Sequence, residues 1–239
     1  MKKIILGLIL GIFLVCMNSV HAVTYIDSCQ TLDQAGETYI LNTDISDHSG
    51  TCFTIAANNV TLDCDGYTVD GQGANTGVWV NGYNYAKVRN CTINDWRISV
   101  YFKGGSNADI YDCAINNTEY GFYLDQSEDS SVSDNTLDNN DYPVYVWYSH
   151  NNTFTNLTIN PTIDWGWGLY VRNSNNNTFD DIRIDHAEFG SYVRNASYNN
   201  FSNLDINNTV KFGFYIYPDI YTNYNTLTDS SVKNSGLYD

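Results

Sequence analysis

A period of 22 residues runs from Asn84 to Asn234, and it limits what this chain can fold into more than any other feature. Val88-x-x-Cys91-x-Ile93 is followed, 22 residues on, by Ile110-x-x-Cys113-x-Ile115 and then by Val132-x-x-Asn135-x-Leu137. Phe154-x-x-Leu157-x-Ile159, Phe179-x-x-Ile182-x-Ile184, Phe201-x-x-Leu204-x-Ile206 and Leu227-x-x-Ser230-x-Val232 continue the series, with short insertions before the second and the last of these. A second motif keeps the same period: a small residue or proline, then apolar, aromatic, apolar. Gly121-Phe122-Tyr123-Leu124 and Gly168-Leu169-Tyr170-Val171 are two of its seven copies. Self-similarity at such a period marks a solenoid, in which each repeat buries its apolar face against its neighbours.

The repeats hold short alternating segments separated by Asn, Asp, Gly and Ser, which is strand and turn chemistry. Helical 3.6-residue periodicity is missing, as are the dense leucines of leucine-rich repeats and the period of six of left-handed hexapeptide helices. The expected fold is therefore all-β: a right-handed parallel β-helix of about seven to eight coils of ~22 residues. Alternation assigns the faces. Val78, Val100, Phe122, Val144, Leu169, Ser191 and Phe214 should form one inward column. Val80, Phe102, Leu124, Val146, Val171, Val193 and Ile216 should form another. Two polar ladders mark turns: Asn90, Asp112, Asp134, Asn156, Asp181, Asn203, Asp229, and Asn94, Asn116, Asp138, Asn160, Asp185, Asn207. Asn and Asp suit left-handed backbone, and stacked amides can bond along the axis. One carboxylate per coil does not supply the six to eight oxygens that calcium wants.

Ahead of the repeats, Met1-Lys2-Lys3, an apolar run from Ile4 to Met17 and Val20-His21-Ala22 read as a secretory signal peptide over 1–22. The run is short of the roughly 20 apolar residues of a membrane span, so no membrane insertion is expected after cleavage. Cys16 follows the bulky Val15, which argues against lipidation there. Residues 23–57 read as an N-terminal cap with an imperfect first coil, and 58–239 as the β-helix repeats. Gly236-Leu237-Tyr238-Asp239 begins the aromatic motif once more. A bare coil end would invite end-to-end association. The expected location is secreted, extracellular or at the cell surface, or periplasmic where the source has an outer membrane.

The formal charge of −16 becomes −18 without Lys2 and Lys3, which excludes a basic nucleic-acid-binding face. In an exported chain, Cys29 and Cys52 are expected to pair as a clip on the first coil. Cys91 and Cys113 share a repeat position about 4.8 Å apart, but stacked side chains run parallel, so free buried thiols are expected there. Cys64 has no assigned state. No Cys/His spacing suggests zinc, and no cofactor is expected. Nine Asn-x-Ser/Thr sequons occur, at Asn59, Asn90, Asn116, Asn151, Asn156, Asn176, Asn195, Asn200 and Asn207. Those in outward turns are available if the source glycosylates.

Cys52 to Val69, with Asn90-Cys91-Thr92-Ile93 and Asn151-Asn152-Thr153-Phe154-Thr155-Asn156-Leu157-Thr158-Ile159, resembles the parallel β-helix repeats of NosD-like secreted proteins in the pectin-lyase-like superfamily. The resemblance covers nearly the whole chain after residue 22. It implies the fold, and a group that includes carbohydrate-binding proteins and sugar hydrolases. The copper role attached to NosD does not carry over: no methionine follows Met17, and His48, His150 and His186 are scattered. Superfamily hydrolases gather carboxylates on one outer sheet, and Asp180, Asp181, Arg183, Asp185 and His186 are the nearest match, with an Arg183–Asp205 ion pair expected across strands. The following residue is Ala187, so the family's His-Gly motif is missing.

One outward column is not required by stacking. Trp79, Tyr101, Tyr123, Tyr145, Tyr170, Tyr192 and Tyr215 should line up as an aromatic strip roughly 30 Å long, at about 4.8 Å per coil. Two residues on, Trp147, Arg172, Arg194 and Tyr217 belong to the next outward column, together with Asn81, Lys103 and Asp125. Aromatic faces stack on sugar rings, so these residues are the candidate polysaccharide- or surface-glycan-binding set. Sheet stabilisation or lateral self-association would use the same pattern. Three functions stay open: a non-enzymatic surface or adhesion protein binding carbohydrate, a polysaccharide hydrolase or lyase, and a structural piece of a larger assembly.

Overall fold

The structure, a computed structural model, describes residues 22–162 and 165–236. The expected signal peptide lies outside them except for Ala22, as do Leu237, Tyr238 and Asp239 of the restarted motif. All regular structure among the described residues is β-strand, wound as a right-handed parallel β-helix. One sheet has nine strands, one per turn, so there are nine turns rather than seven to eight. The difference lies at the N-terminus. Val23–Ile26, Thr31–Leu32, Thr38–Leu41, Ile45–His48 and Phe53–Ile55 already pair into the sheets that the later coils use.

The second sheet has fifteen strands and is bent. Early coils enter it as two separate short strands, such as Asp109–Tyr111 and Ala114–Asn116. Later coils use one eight-residue strand, such as Ser131–Asp138 or Thr178–Asp185. The bend is the first polar ladder. Asn90, Asp112, Asp134, Asn156, Asp181, Asn203 and Asp229 all have φ between 50° and 58°. A left-handed residue breaks the two-residue alternation, which is why inward positions are spaced three and then two apart. Phe179, Ile182 and Ile184 are accordingly at most 1% exposed. In the second ladder the left-handed residue is one step later than expected: Asp95, Asn117, Asn139, His186 and Asn208 carry positive φ. The ladder residues themselves bond along the axis, as where Asn116 Nδ2 donates to Asn94 Oδ1 at 2.9 Å.

Both inward apolar columns are buried, except that Phe214 and Ile216 open toward solvent in the last turn. Phe154, Phe179 and Phe201 stack at 4.8 Å and 6° between rings, the spacing of the strands themselves. The small first residue of the aromatic motif is explained at Gly190. A Cβ there would lie 2.4 Å from both the Gly213 carbonyl oxygen and Ile206 Cγ2.

Cys29 and Cys52 form a disulfide, as expected. Cys91 does not carry a free thiol: it is bonded to Cys64, with Cα atoms 4.8 Å apart. Asp63 pairs with Arg89 and Thr68 with Thr92, so the earlier coil spends two extra residues on this corner. Cys64 therefore approaches Cys91 from the side rather than from the parallel column. Cys113 remains a buried thiol, and burial pushes its pKa up to about 12. Closing loops of 23 and 27 residues should stabilise the fold by about 3 kcal/mol each. Protein lacking residues 1–22 should show no reactive thiol to Ellman's reagent when native and one when unfolded. Two or more thiols in the unfolded, unreduced protein would disprove this pairing.

Candidate functional site

The nine-stranded sheet presents the expected aromatic column. Tyr101, Tyr123, Tyr145, Tyr170, Tyr192 and Tyr215 are paired in register from coil to coil, with Trp79 before them. Tyr145 and Tyr170 stack at 4.7 Å and 2°, Tyr170 and Tyr192 at 5.4 Å and 7°. Tyr123 meets Tyr145 edge-on at 4.8 Å and 75°, so the stack turns once. These spacings fall within the range where ring pairs attract.

A second aromatic column lies beside the first and is absent from the sequence expectation. Tyr120, Tyr142, Trp167, Phe189 and Phe212 are outward at the position just before the small residue of the motif. The same period carries them, so a motif read one residue further upstream contains them. Tyr120 and Tyr142 stack at 5.1 Å, and Trp167 lies 4.6 Å from Phe189 and 4.9 Å from Tyr192. The two columns interlock into a continuous face. The consequence is a correction to the expected open strip, since Tyr170 and Tyr192 are only 9% and 8% exposed. Their neighbours shield them, and they present ring edges rather than free plates.

Desolvation raises the pKa of Tyr101, Tyr123, Tyr142, Tyr145 and Tyr192, and that of Tyr120 to about 12. These phenols stay protonated as hydrogen-bond donors well above neutral pH. At one end of the face, a cavity of about 280 Å³ opens among Thr51, Asn75, Trp79, Arg97 and Tyr101. The Trp79 indole N–H there has no hydrogen-bond partner.

Charged side chains edge the face. On one side Arg97 pairs with Glu119 at 3.8 Å, and Lys211 pairs with Glu188. Trp167 Nε1 donates to Glu188 Oε2 at 2.9 Å, which fixes the indole. On the other side, the column of Trp147, Arg172, Arg194 and Tyr217 is drawn together by cation–π contacts. The Arg172 guanidinium sits 4.5 Å over Trp147 and that of Arg194 4.4 Å over Tyr217. None of the nine sequons falls on the strands of this sheet from Thr76 onward.

Asp180, Asp181, Arg183, Asp185 and His186 lie on the outside of the bent sheet, away from the aromatic columns. Their contacts are structural. Asp180 accepts hydrogen bonds from Ser202 Oγ at 2.6 Å and Asn203 Nδ2 at 2.8 Å, and these donors hold its pKa below the usual carboxylate value. A general acid needs the opposite shift. Asp181 is the left-handed bend residue. Asp185 takes His186 Nδ1 at 3.1 Å, Arg183 at 3.8 Å and Asn208 Nδ2 at 2.8 Å. Arg183 and Asp205 share register, but their expected ion pair is replaced: Arg183 reaches Asp185, and Asp205 reaches Lys233 at 3.9 Å. A groove of about 630 Å³ along the bend is lined by Asp65, Asn90, Asp112 and Asp134, which are turn residues contributed by successive coils.

Comparison with known proteins agrees with this architecture. Comparison with curated proteins gives no match. Among solved structures, the catalytic domain of a GH87 α-1,3-glucanase in complex with nigerose aligns with a TM-score of 0.58 at 12% identity, over 91% of this chain and 60% of that one. The A-module of a mannuronan C-5 epimerase from Azotobacter vinelandii gives 0.53 at 13% identity, over 91% and 71%. An alginate lyase from Paenibacillus sp. str. FPU-7 gives 0.51 at 10% identity, over 91% and 99%. At these identities the likeness is one of fold alone. The model of the right-handed β-helix region matches residues 25–162 and 144–238. It is a coarser group than the NosD-like set that the motifs resemble, and it covers nearly all the described residues. The chain belongs to the right-handed β-helix family.

Proposed function

We propose that this protein binds polysaccharide or surface glycan through the aromatic face of its nine-stranded sheet, outside the cell, without cleaving it. The observation that carries the reading is the doubled aromatic column, Tyr120–Tyr142–Trp167–Phe189 beside Tyr123–Tyr145–Tyr170–Tyr192. One column is enough to stabilise a sheet by cross-strand stacking. Two interlocked columns leave a broad aromatic surface edged by charged and hydroxyl groups, and a surface of this kind on a soluble chain marks a contact site. Two disulfides fit an extracellular location.

The structural neighbours favour a second reading, a polysaccharide hydrolase or lyase, because the glucanase and the alginate lyase act on such polymers by name. The ion pairs and lowered pKa around Asp180 speak against that cluster as its centre. A screen of the protein from Val23 onward against a panel of polysaccharides separates the two. Retention on at least one immobilised polymer, with no new reducing ends and no unsaturated sugars released, is expected. Release of either product, lost in Asp181→Asn, would replace the binding reading with the enzymatic one.

A further inference from the structure

The column that edges the aromatic face changes character along the axis. Lys103, Asp125, Trp147, Arg172 and Arg194 follow one another in register. Asp125 is occupied by the Tyr101 hydroxyl, which donates to it at 3.0 Å. Arg172 and Arg194 stand in adjacent rows about 4.8 Å apart, where like charges repel. Among the described residues neither forms an ion pair, in a chain of net charge −16 with ample carboxylates to choose from. The Nε atom of each is buried without a hydrogen-bond partner. Asp219 is near enough to feel Arg194: Thr222 Oγ1 and the Tyr221 N–H both donate to its Oδ1, its Oδ2 has no hydrogen-bond partner, and its charge offsets part of that of Arg194. Both guanidiniums instead sit over rings, which holds them in place, and Arg172 forms no ion pair among the described residues.

Across the face, the one buried carboxylate of this region is already compensated. Glu188 is 7% exposed and takes both Lys211 and the Trp167 indole N–H. The half of the face from Trp147 to Tyr217 therefore carries cationic charge on an acidic protein. Two aligned guanidiniums beside an aromatic floor match a planar or tetrahedral oxyanion attached to a ring.

Resting on the glycan-binding reading, we propose that this half of the face is a site for anionic sugars, with Arg172 and Arg194 jointly holding a carboxylate or sulfate while the exposed ring edges of Tyr170 and Tyr192 meet the sugar. The Asp125 end of the face repels such groups, so the acid-bearing residues of the polymer seat toward the last turns.

Calorimetric titration with polygalacturonate oligomers and with the same oligomers methyl-esterified tests this, with dextran sulfate and dextran as the sulfate pair. The acid forms should bind about tenfold or more tighter than their neutral partners, as two charge-assisted hydrogen bonds provide. Arg172→Gln with Arg194→Gln should remove that preference, bringing acid and ester to the same affinity. If this variant melts early, Asp125→Asn serves instead. It keeps an acceptor for Tyr101 and should tighten acid binding by roughly threefold through lost repulsion. Equal affinity for acid and ester, or an acid preference that survives in the double variant, overturns the anionic site while leaving the glycan reading intact. Failure to bind any of the four polymers, charged or neutral, removes both.

Discussion

Asn177→Ala should cost about 3–5 kcal/mol, more than most surface truncations by an order of magnitude. Asn177 is 1% exposed and belongs to a ladder of buried polar side chains, Ser130, Asn152, Asn177, Asn199 and the half-buried Asn225, at one inner corner of the coil. Its Oδ1 accepts from the Asn152 backbone N–H at 2.9 Å and from Asn152 Nδ2 at 3.1 Å. Its Nδ2 donates to the Ser149 carbonyl oxygen at 3.1 Å and to Asn199 Oδ1 at 3.0 Å. Truncation breaks all four contacts and leaves a backbone N–H and a carbonyl stranded where water does not reach. At about 2–4 °C per kcal/mol for a chain of this size, the thermal midpoint should fall by on the order of 10 °C. Asn160→Ala is the control. Asn160 also joins a ladder, donating to Asp138 Oδ1 at 2.6 Å, but on the outer surface, where water replaces the lost partner. It should cost under about 1 kcal/mol. Similar losses in the two variants would mean that the inner ladder carries no special share of stability.

That inner ladder shows where sequence reading stopped. Asn152 sits in Asn151-Asn152-Thr153, between a left-handed turn residue and a strand, and by type it reads as turn. Its burial depends on a tertiary fact: the corner is tight enough to leave backbone N–H groups of one coil facing the side chains of the next. The outer bend ladder was legible because its residues do a local job, taking positive φ, that Asn and Asp do best. Inward columns were legible because they repeat with the strand period. Pairing of Cys64 with Cys91 was not, because two extra residues at one corner move Cys64 off the column on which spacing arguments operate. The aromatic face was half legible. Its Tyr145 column follows the small residue that anchors the motif, whereas the Trp167 column precedes it, and precedes it as tyrosine, tryptophan or phenylalanine rather than as one repeated residue type.

Tyr145→Ala combined with Tyr170→Ala should abolish glycan binding, by on the order of 100-fold or more, because two adjacent rings are lost from the middle of the face. Loss of binding alone would be ambiguous, since these rings also hold the sheet together through the 4.7 Å stack. Phe179→Ala resolves the ambiguity. Phe179 is fully buried between Phe154 and Phe201 on the bent sheet, and its truncation leaves a cavity costing about 3–5 kcal/mol. The tyrosine pair contributes stability too, since Tyr170 is shielded by its neighbours and each ring contact adds about 0.5–1.5 kcal/mol beyond the area it buries. The Phe179 variant should thus also melt early, yet bind with unchanged affinity per folded molecule below its transition. A face built for contact separates stability from binding in this way, with stability lost in both variants and binding lost in only one. A face built for stacking does not: binding would then track the melting temperature through both variants, or survive in both. In that event the doubled column would be a stabilising device of the coil, and the ligand would have to be sought on another face.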